Sequence, residues 1–157
     1  MNEHNLFFDI DATDILDLLK VQTAYLGAKI LQADGNAYER ISMTDGNIDF
    51  VRPAMDSATS VLCNALKRYA PKMADGTLSL IVPTNLLTIN QASTENAIKL
   101  FYVSYVMYKW LAITNPAMAE NYMNEATMHL TTVRNMLAKR KAPTYSAPTE
   151  ETETATE

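Results

Sequence analysis

Residues 97–114 (AIKLFYVSYVMYKWLAIT) constrain the fold of this chain more than any other stretch. On a helical wheel, Ile98, Leu100, Phe101, Tyr102, Val103, Tyr105, Val106, Tyr108, Trp110, Leu111 and Ile113 go almost all the way round. A helix that is apolar on every side must be central to a domain, or sandwiched between its own fold and a partner. Ser104 and Lys109 interrupt the run well short of the roughly 18–20 apolar residues of a membrane span. A helix is therefore predicted over about 94–114, capped by Ser93 or Thr94 and ended at Asn115.

Three further helices follow from apolar spacing. The first begins near Thr13 with Asp11 or Thr13 as cap, and Asp14 and Asp17 suit its positive end. Ile15, Leu18, Leu19, Leu26 and Ile30 share one side, and Asp34-Gly35-Asn36 breaks the helix after about residue 32. Residues 37–44 add one turn before Asp45-Gly46-Asn47. The second helix covers about 48–69, where Phe50, Ala54, Ala58, Val61, Ala65 and Tyr69 form a stripe and Pro53 falls in the first turns. Pro71 closes it. The last helix opens at Asn115-Pro116 and carries Met118 or Ala119, Tyr122, Ala126, His129 or Leu130, Val133 and Met136 or Leu137 on its stripe. It ends in Lys139-Arg140-Lys141, which suits a helix C-terminus.

Between helices 2 and 3, Leu78, Leu80 and Val82 alternate with Ser79, which predicts a strand over 77–82 ended by Pro83, with a return strand over 86–89. One hairpin is marginal alone, so this one must lie on the helices or pair with another chain's edge. The expected fold is mainly all-α. A four-helix domain over 1–142 carries a short β-hairpin excursion between helices 2 and 3, and an extended C-terminal tail follows over 143–157.

Charge divides the chain at the same boundary. Of the 157 residues, 13 are Lys or Arg and 18 are Asp or Glu, a net −5. Residues 143–157 hold four glutamates (150, 151, 153 and 157) and no base, so residues 1–142 stand at only −1. That body lacks the basic excess of a general nucleic-acid binder. Apart from Tyr145 the tail is otherwise Pro, Thr, Ser and Ala, too poor in apolar residues to fold by itself. A single cysteine, Cys63, excludes an internal disulfide and fits a reducing compartment. The first residues lack the basic and apolar regions of a secretory signal. With four glycines, no phosphate-cradling GxGxxG or GxxxxGK[ST] occurs.

Groups for catalysis are sparse. His129 sits on the apolar stripe of the last helix and reads as a core or interface histidine. Its spacing from Glu125 is i, i+4, not the Glu-x-x-His of di-iron bundles. Asp9, Asp11, Asp14 and Asp17 fail the calcium-loop pattern, because Asp14 and Lys20 fall where Gly and Glu are required. They read as acids at a helix N-terminus. Cys63 lies within a helix, with neither histidine near in sequence, and reads as a structural thiol. His4 precedes the first helix and reads as solvated. No nucleophile elbow occurs. No enzyme activity, metal or cofactor is expected, and neither a membrane nor a sequence-specific nucleic acid is expected as a partner.

Two features point to protein contacts instead. Tyr102, Tyr105, Tyr108 and Trp110 are polar-tipped aromatics of the kind enriched at interfaces. Lys139-Arg140-Lys141, followed by Tyr145 and the glutamates, suits an acidic partner surface as well as a helix end.

Residues 47–69 (NIDFVRPAMDSATSVLCNALKRY), the β-containing linker after them, and residues 97–114 together resemble the head–tail connector proteins (head-completion or neck adaptor) of tailed bacteriophages. Members similarly have an acid-opened, alanine-bearing helix, an irregular segment and an aromatic-rich helix. The likeness spans about half the chain; the long fourth helix and the Thr/Glu tail depart from it. The resemblance implies a structural virion protein, made in the bacterial host's cytoplasm and placed at the head–tail junction. It implies a homo-oligomeric ring of about a dozen copies that docks on the portal protein and meets other neck or tail proteins. No catalytic residue is implied. The candidate interface comprises Leu78, Leu80, Val82, Tyr105, Tyr108, Lys139, Arg140, Lys141 and Tyr145. The competing expectation is an intracellular helical adaptor or regulator that binds a protein through its Tyr-rich helix.

Overall fold

The computed structural model describes residues 3–30, 37–83 and 89–138. Within them the fold is mainly α, with four long helices and a small antiparallel sheet. Helix α4 (Gln91–Thr114) occupies the centre. Asn90 caps it: its side-chain oxygen accepts the Ser93 N–H at 3.1 Å, and its carbonyl accepts the Thr94 amide at 3.0 Å and the Thr94 hydroxyl at 2.9 Å. The helix thus begins one turn earlier than expected, because Ser93 and Thr94 are the cap's partners and not the cap. Ile98, Phe101, Tyr102, Val106, Met107 and Leu111 are almost wholly buried, and α4 touches helices on several sides as well as the sheet. Most of its apolar surface is covered inside the chain, while Ile113 stays 71% exposed.

Helix α5 (Pro116–Ala138) turns back along α4 after Asn115, so that Thr94 near the start of α4 lies against Met136 near the end of α5. Its buried stripe is Ala119, Ala126, Val133 and Leu137. Helix α1 (Ala12–Ile30) starts where the Asp11 carbonyl accepts the Ile15 amide at 3.1 Å. It buries Ile15, Leu16, Leu19, Thr23 and Leu26, while Leu18 points outward and is 44% exposed. A single-turn helix α2 (Ala37–Ile41) follows, and then α3 (Ile48–Ala65). Lys20, reached at 2.7 Å by Asp17 and at 2.6 Å by Asp45, ties α1 to the turn before α3; these two carboxylates hold its ammonium above the usual lysine range.

In α3 the expected stripe is rotated. Val51, Ala54, Met55, Ala58 and Leu62 face inward, whereas Val61 is exposed, because the larger Leu62 takes the core position. Pro53 lies inside α3, where the missing N–H leaves the Asp49 carbonyl without its helical donor. The helix closes through a turn at Lys67–Tyr69, and the Tyr69 hydroxyl donates to the Leu137 carbonyl at 3.1 Å, fastening that turn to the end of α5.

The sheet has three strands, β1 (Glu3–Asp9), β2 (Lys72–Ala74) and β3 (Thr77–Pro83), in the order β1-β3-β2. The hairpin β2–β3 turns on Asp75 and Gly76, both at positive φ (47° and 76°). Such two-residue turns match the natural twist of antiparallel strands, and Asp-Gly is a preferred pair for them. The Gly76 carbonyl accepts the Ile10 amide at 2.7 Å, which joins the hairpin to the lead-in of α1.

The sheet corrects three expectations. The partners of β3 are β1 and β2, and residues 86–88 of the expected 86–89 return strand lie outside the described residues. The leader around His4 is a strand, with Leu6 opposite Leu80 and Phe8 opposite Leu78, while His4 itself is exposed as expected. Leu78, Leu80 and Val82, assigned above to a neighbour's contact, are instead the inner face of the central strand, no more than 2% exposed. β1 covers one edge of β3 along its whole length and β2 covers the other over Thr77–Ser79, and it is the burial of all three side chains in the chain's own core that leaves them no surface to offer.

Thr23 is a polar group fully enclosed by this packing. Its hydroxyl donates to the Leu19 carbonyl at 2.8 Å and accepts the Met43 amide at 2.9 Å, with no exposed surface. Thr23→Val keeps the shape and strands the Met43 N–H, so urea unfolding is expected to show a loss of about 1–3 kcal/mol. A neutral result would mean that water reaches that amide.

Candidate functional surfaces

The Tyr-rich helix turns most of its hydroxyls inward. Thr59 commits its proton to the Met55 carbonyl at 2.9 Å, so Tyr102, fully buried, donates its own to Thr59 at 2.7 Å. Tyr105 is 6% exposed and pairs with the Ser57 hydroxyl at 3.2 Å. Phe101, Tyr102, Tyr105 and Tyr108 stack edge to face or tilted along α4, with centroids 5.6–6.1 Å apart. Trp110 donates to the Ile41 carbonyl at 2.7 Å and packs its ring at 5.2 Å against Phe50. Tyr105 is therefore an internal anchor and not an interface residue. Tyr108 is half-buried, and the Lys109 ammonium lies 5.7 Å from its ring centre. Lys139, Arg140, Lys141 and Tyr145 lie outside the described residues.

The acids near α1 go separate ways. Asp9 accepts from Thr77 at 3.3 Å, Asp17 pairs with Lys20, and Asp14 approaches Lys99 at 3.9 Å. Among the described residues no three His, Cys, Asp or Glu side chains converge as a metal-holding group. His129 is half-buried on α5. Cys63 is also half-buried, and burial pushes its thiol up, away from the thiolate a nucleophile needs. No described helix is long and apolar enough to cross a membrane.

Three surface features remain. A cleft of about 510 Å³ opens between the start of α1, α3 and the β2–β3 turn, where Asp11, Asp56 and Asp75 share the rim with Arg52 and Thr59. A second pocket, about 330 Å³, lies between the end of α3 and α5, lined by Arg68, Tyr69, Thr131, Arg134 and Asn135. The third is an apolar stripe on the outer side of α1: Leu18, Val21 and Tyr25 are 44%, 71% and 74% exposed. Their spacing of three and four puts them on one line of the helix, opposite Ile15, Leu19 and Leu26.

None of the three was assigned from sequence. The α1 stripe was legible as i, i+3, i+7, but Leu18 was counted with the buried side and the second apolar line was left unread. Arg68 and Arg134 stand 66 positions apart, and only folding brings them together. No family model, curated protein or solved structure matches this chain.

Proposed function

We propose that this chain is a structural assembly protein that forms an oligomeric ring, in the manner of the head–tail connectors its sequence resembles. In that role it bridges a portal protein and tail components in a phage virion. The observation that carries this reading is the exposed stripe of α1. Leu18, Val21 and Tyr25 lie in line on a helix whose other side already fills the core. An aligned apolar row left in water is a contact surface in waiting, unlike apolar residues scattered singly. Rings are built from heterologous contacts, in which one patch meets a different patch on the next copy. The α1 stripe supplies one patch of such a pair. The adaptor alternative loses support, because Tyr102 and Tyr105 are spent on internal hydrogen bonds.

Mass photometry tests the reading. The native chain is expected to give one large discrete oligomer, alone or on addition of a portal protein. Val21→Glu with Tyr25→Glu is expected to leave monomers whose melting temperature is nearly unchanged, since exposed substitutions of this kind shift stability by about 0.5 kcal/mol or less. A native chain that stays monomeric under both conditions would overturn the ring. An oligomer indifferent to the double substitution would remove α1 from its interface.

A further inference from the structure

We infer that the pocket between the end of α3 and α5 is a carboxylate-binding site, and that its ligand is the glutamate-rich segment (Glu150, Glu151 and Glu153) of a second copy of this chain. Arg68 and Arg134 both line the pocket, and no acidic residue does. Lys20 and Lys99 are paired with carboxylates, whereas among the described residues neither Arg68 nor Arg134 has a carboxylate partner. Arg68 lies over the Tyr69 ring at 4.9 Å, and the Tyr69 hydroxyl is itself fixed on Leu137, so the guanidinium rests on an anchored platform. Thr131 spends its proton on the Thr127 carbonyl. The donors left to a ligand are the two guanidiniums and the Asn135 amide, which has no partner among the described residues. Guanidinium groups present forked donors that match a carboxylate in two parallel hydrogen bonds.

The chain carries the complementary charge itself. Four of its five net negative charges fall in residues 143–157. Ala138, the last residue of α5, borders the pocket, but the sequence that follows is Lys139-Arg140-Lys141, the wrong sign for two arginines. The first tail glutamate comes only at position 150, twelve residues beyond Ala138, and the crosslinking below separates a chain's own tail from a neighbour's. A nucleic-acid backbone fits less well, because two arginines neutralise few phosphates and the body is slightly negative. The identity of the partner copy rests on the ring proposed above; the carboxylate chemistry of the pocket does not.

The test uses full-length chains in isotopically distinct pairs. One copy, labelled with ¹⁵N, has Ala138 replaced by p-benzoylphenylalanine; the other is unlabelled and native. Irradiation is expected to join position 138 of the labelled copy to unlabelled peptides spanning residues 150–157. Arg68→Glu with Arg134→Glu in the labelled copy should lower that yield about tenfold, as should Glu150→Lys, Glu151→Lys and Glu153→Lys in the unlabelled one. Mixing the two charge-reversed chains should restore it. Crosslinks confined to one isotope or yields indifferent to charge reversal would each overturn the inference. Mass photometry of the same samples separates the two proposals. An intact oligomer without tail crosslinks refutes the tail contact alone, and a chain that never oligomerises refutes the ring.

Discussion

Phe8→Ala is expected to lower the unfolding free energy by about 3–5 kcal/mol, and Phe7→Ala, one residue away, by less than about 1 kcal/mol. The two rings stand on opposite faces of β1. Phe8 has no exposed surface and lies opposite Leu78 in the central strand, whereas Phe7 is 55% exposed on the outer face. Removing a buried ring forfeits its transfer free energy and leaves a cavity between sheet and helices. Removing an exposed one forfeits little of either. For a domain whose total stability is about 5–15 kcal/mol, the first substitution consumes a large share. Urea denaturation followed by far-ultraviolet circular dichroism measures both. Equal losses at the two positions would mean that β1 does not alternate as described.

The second large effect concerns alkaline pH. Burial pushes the Tyr102 phenol up to about 12 from an ordinary value of 10.0, and the negative charge of Asp56 acts in the same direction. The folded chain therefore holds this proton at pH values where the unfolded chain has released it. The stabilisation is fully present below pH 10.0 and is lost as pH rises from there through about 12, because unfolding then releases a proton. Two pH units correspond to about 2–3 kcal/mol. Tyr102→Phe removes the ionisable group and leaves Thr59 bonded to the Met55 carbonyl. Its urea midpoint should trail the native one by about 1 kcal/mol at pH 8 and converge with or pass it by pH 12. A constant gap across that range would place the Tyr102 hydroxyl in contact with water.

The helices were legible because each carries a period that only one local structure satisfies, and the all-round apolarity of α4 correctly announced a central element. Their inward faces were less so. In α3 the alanines at 54 and 58 are common to the expected and the observed stripe, and the choice between Val61 and Leu62 belongs to the neighbouring helices. Strand β1 escaped notice because His4, Asn5 and Asp9 look polar, while Leu6, Phe8 and Ile10 are three alternating apolar positions whose meaning depends on β3. Leu78, Leu80 and Val82 were recognised as a strand but given to a neighbour, since the partner that covers them is supplied by the first residues of the same chain. The arginine pocket could not be read at all: no local period links Arg68 to Arg134.

The pairing of Glu3 with Pro83 also sets an order of events during synthesis. Strand β1 leaves the ribosome early but gains its main partner only after β3 has been translated, and α4, which closes the core, comes later still. At about 5–20 residues per second this leaves Leu6 and Phe8 uncovered for several seconds. The β1–β3 ladder, with its long loop to close, thus belongs among the last contacts to form.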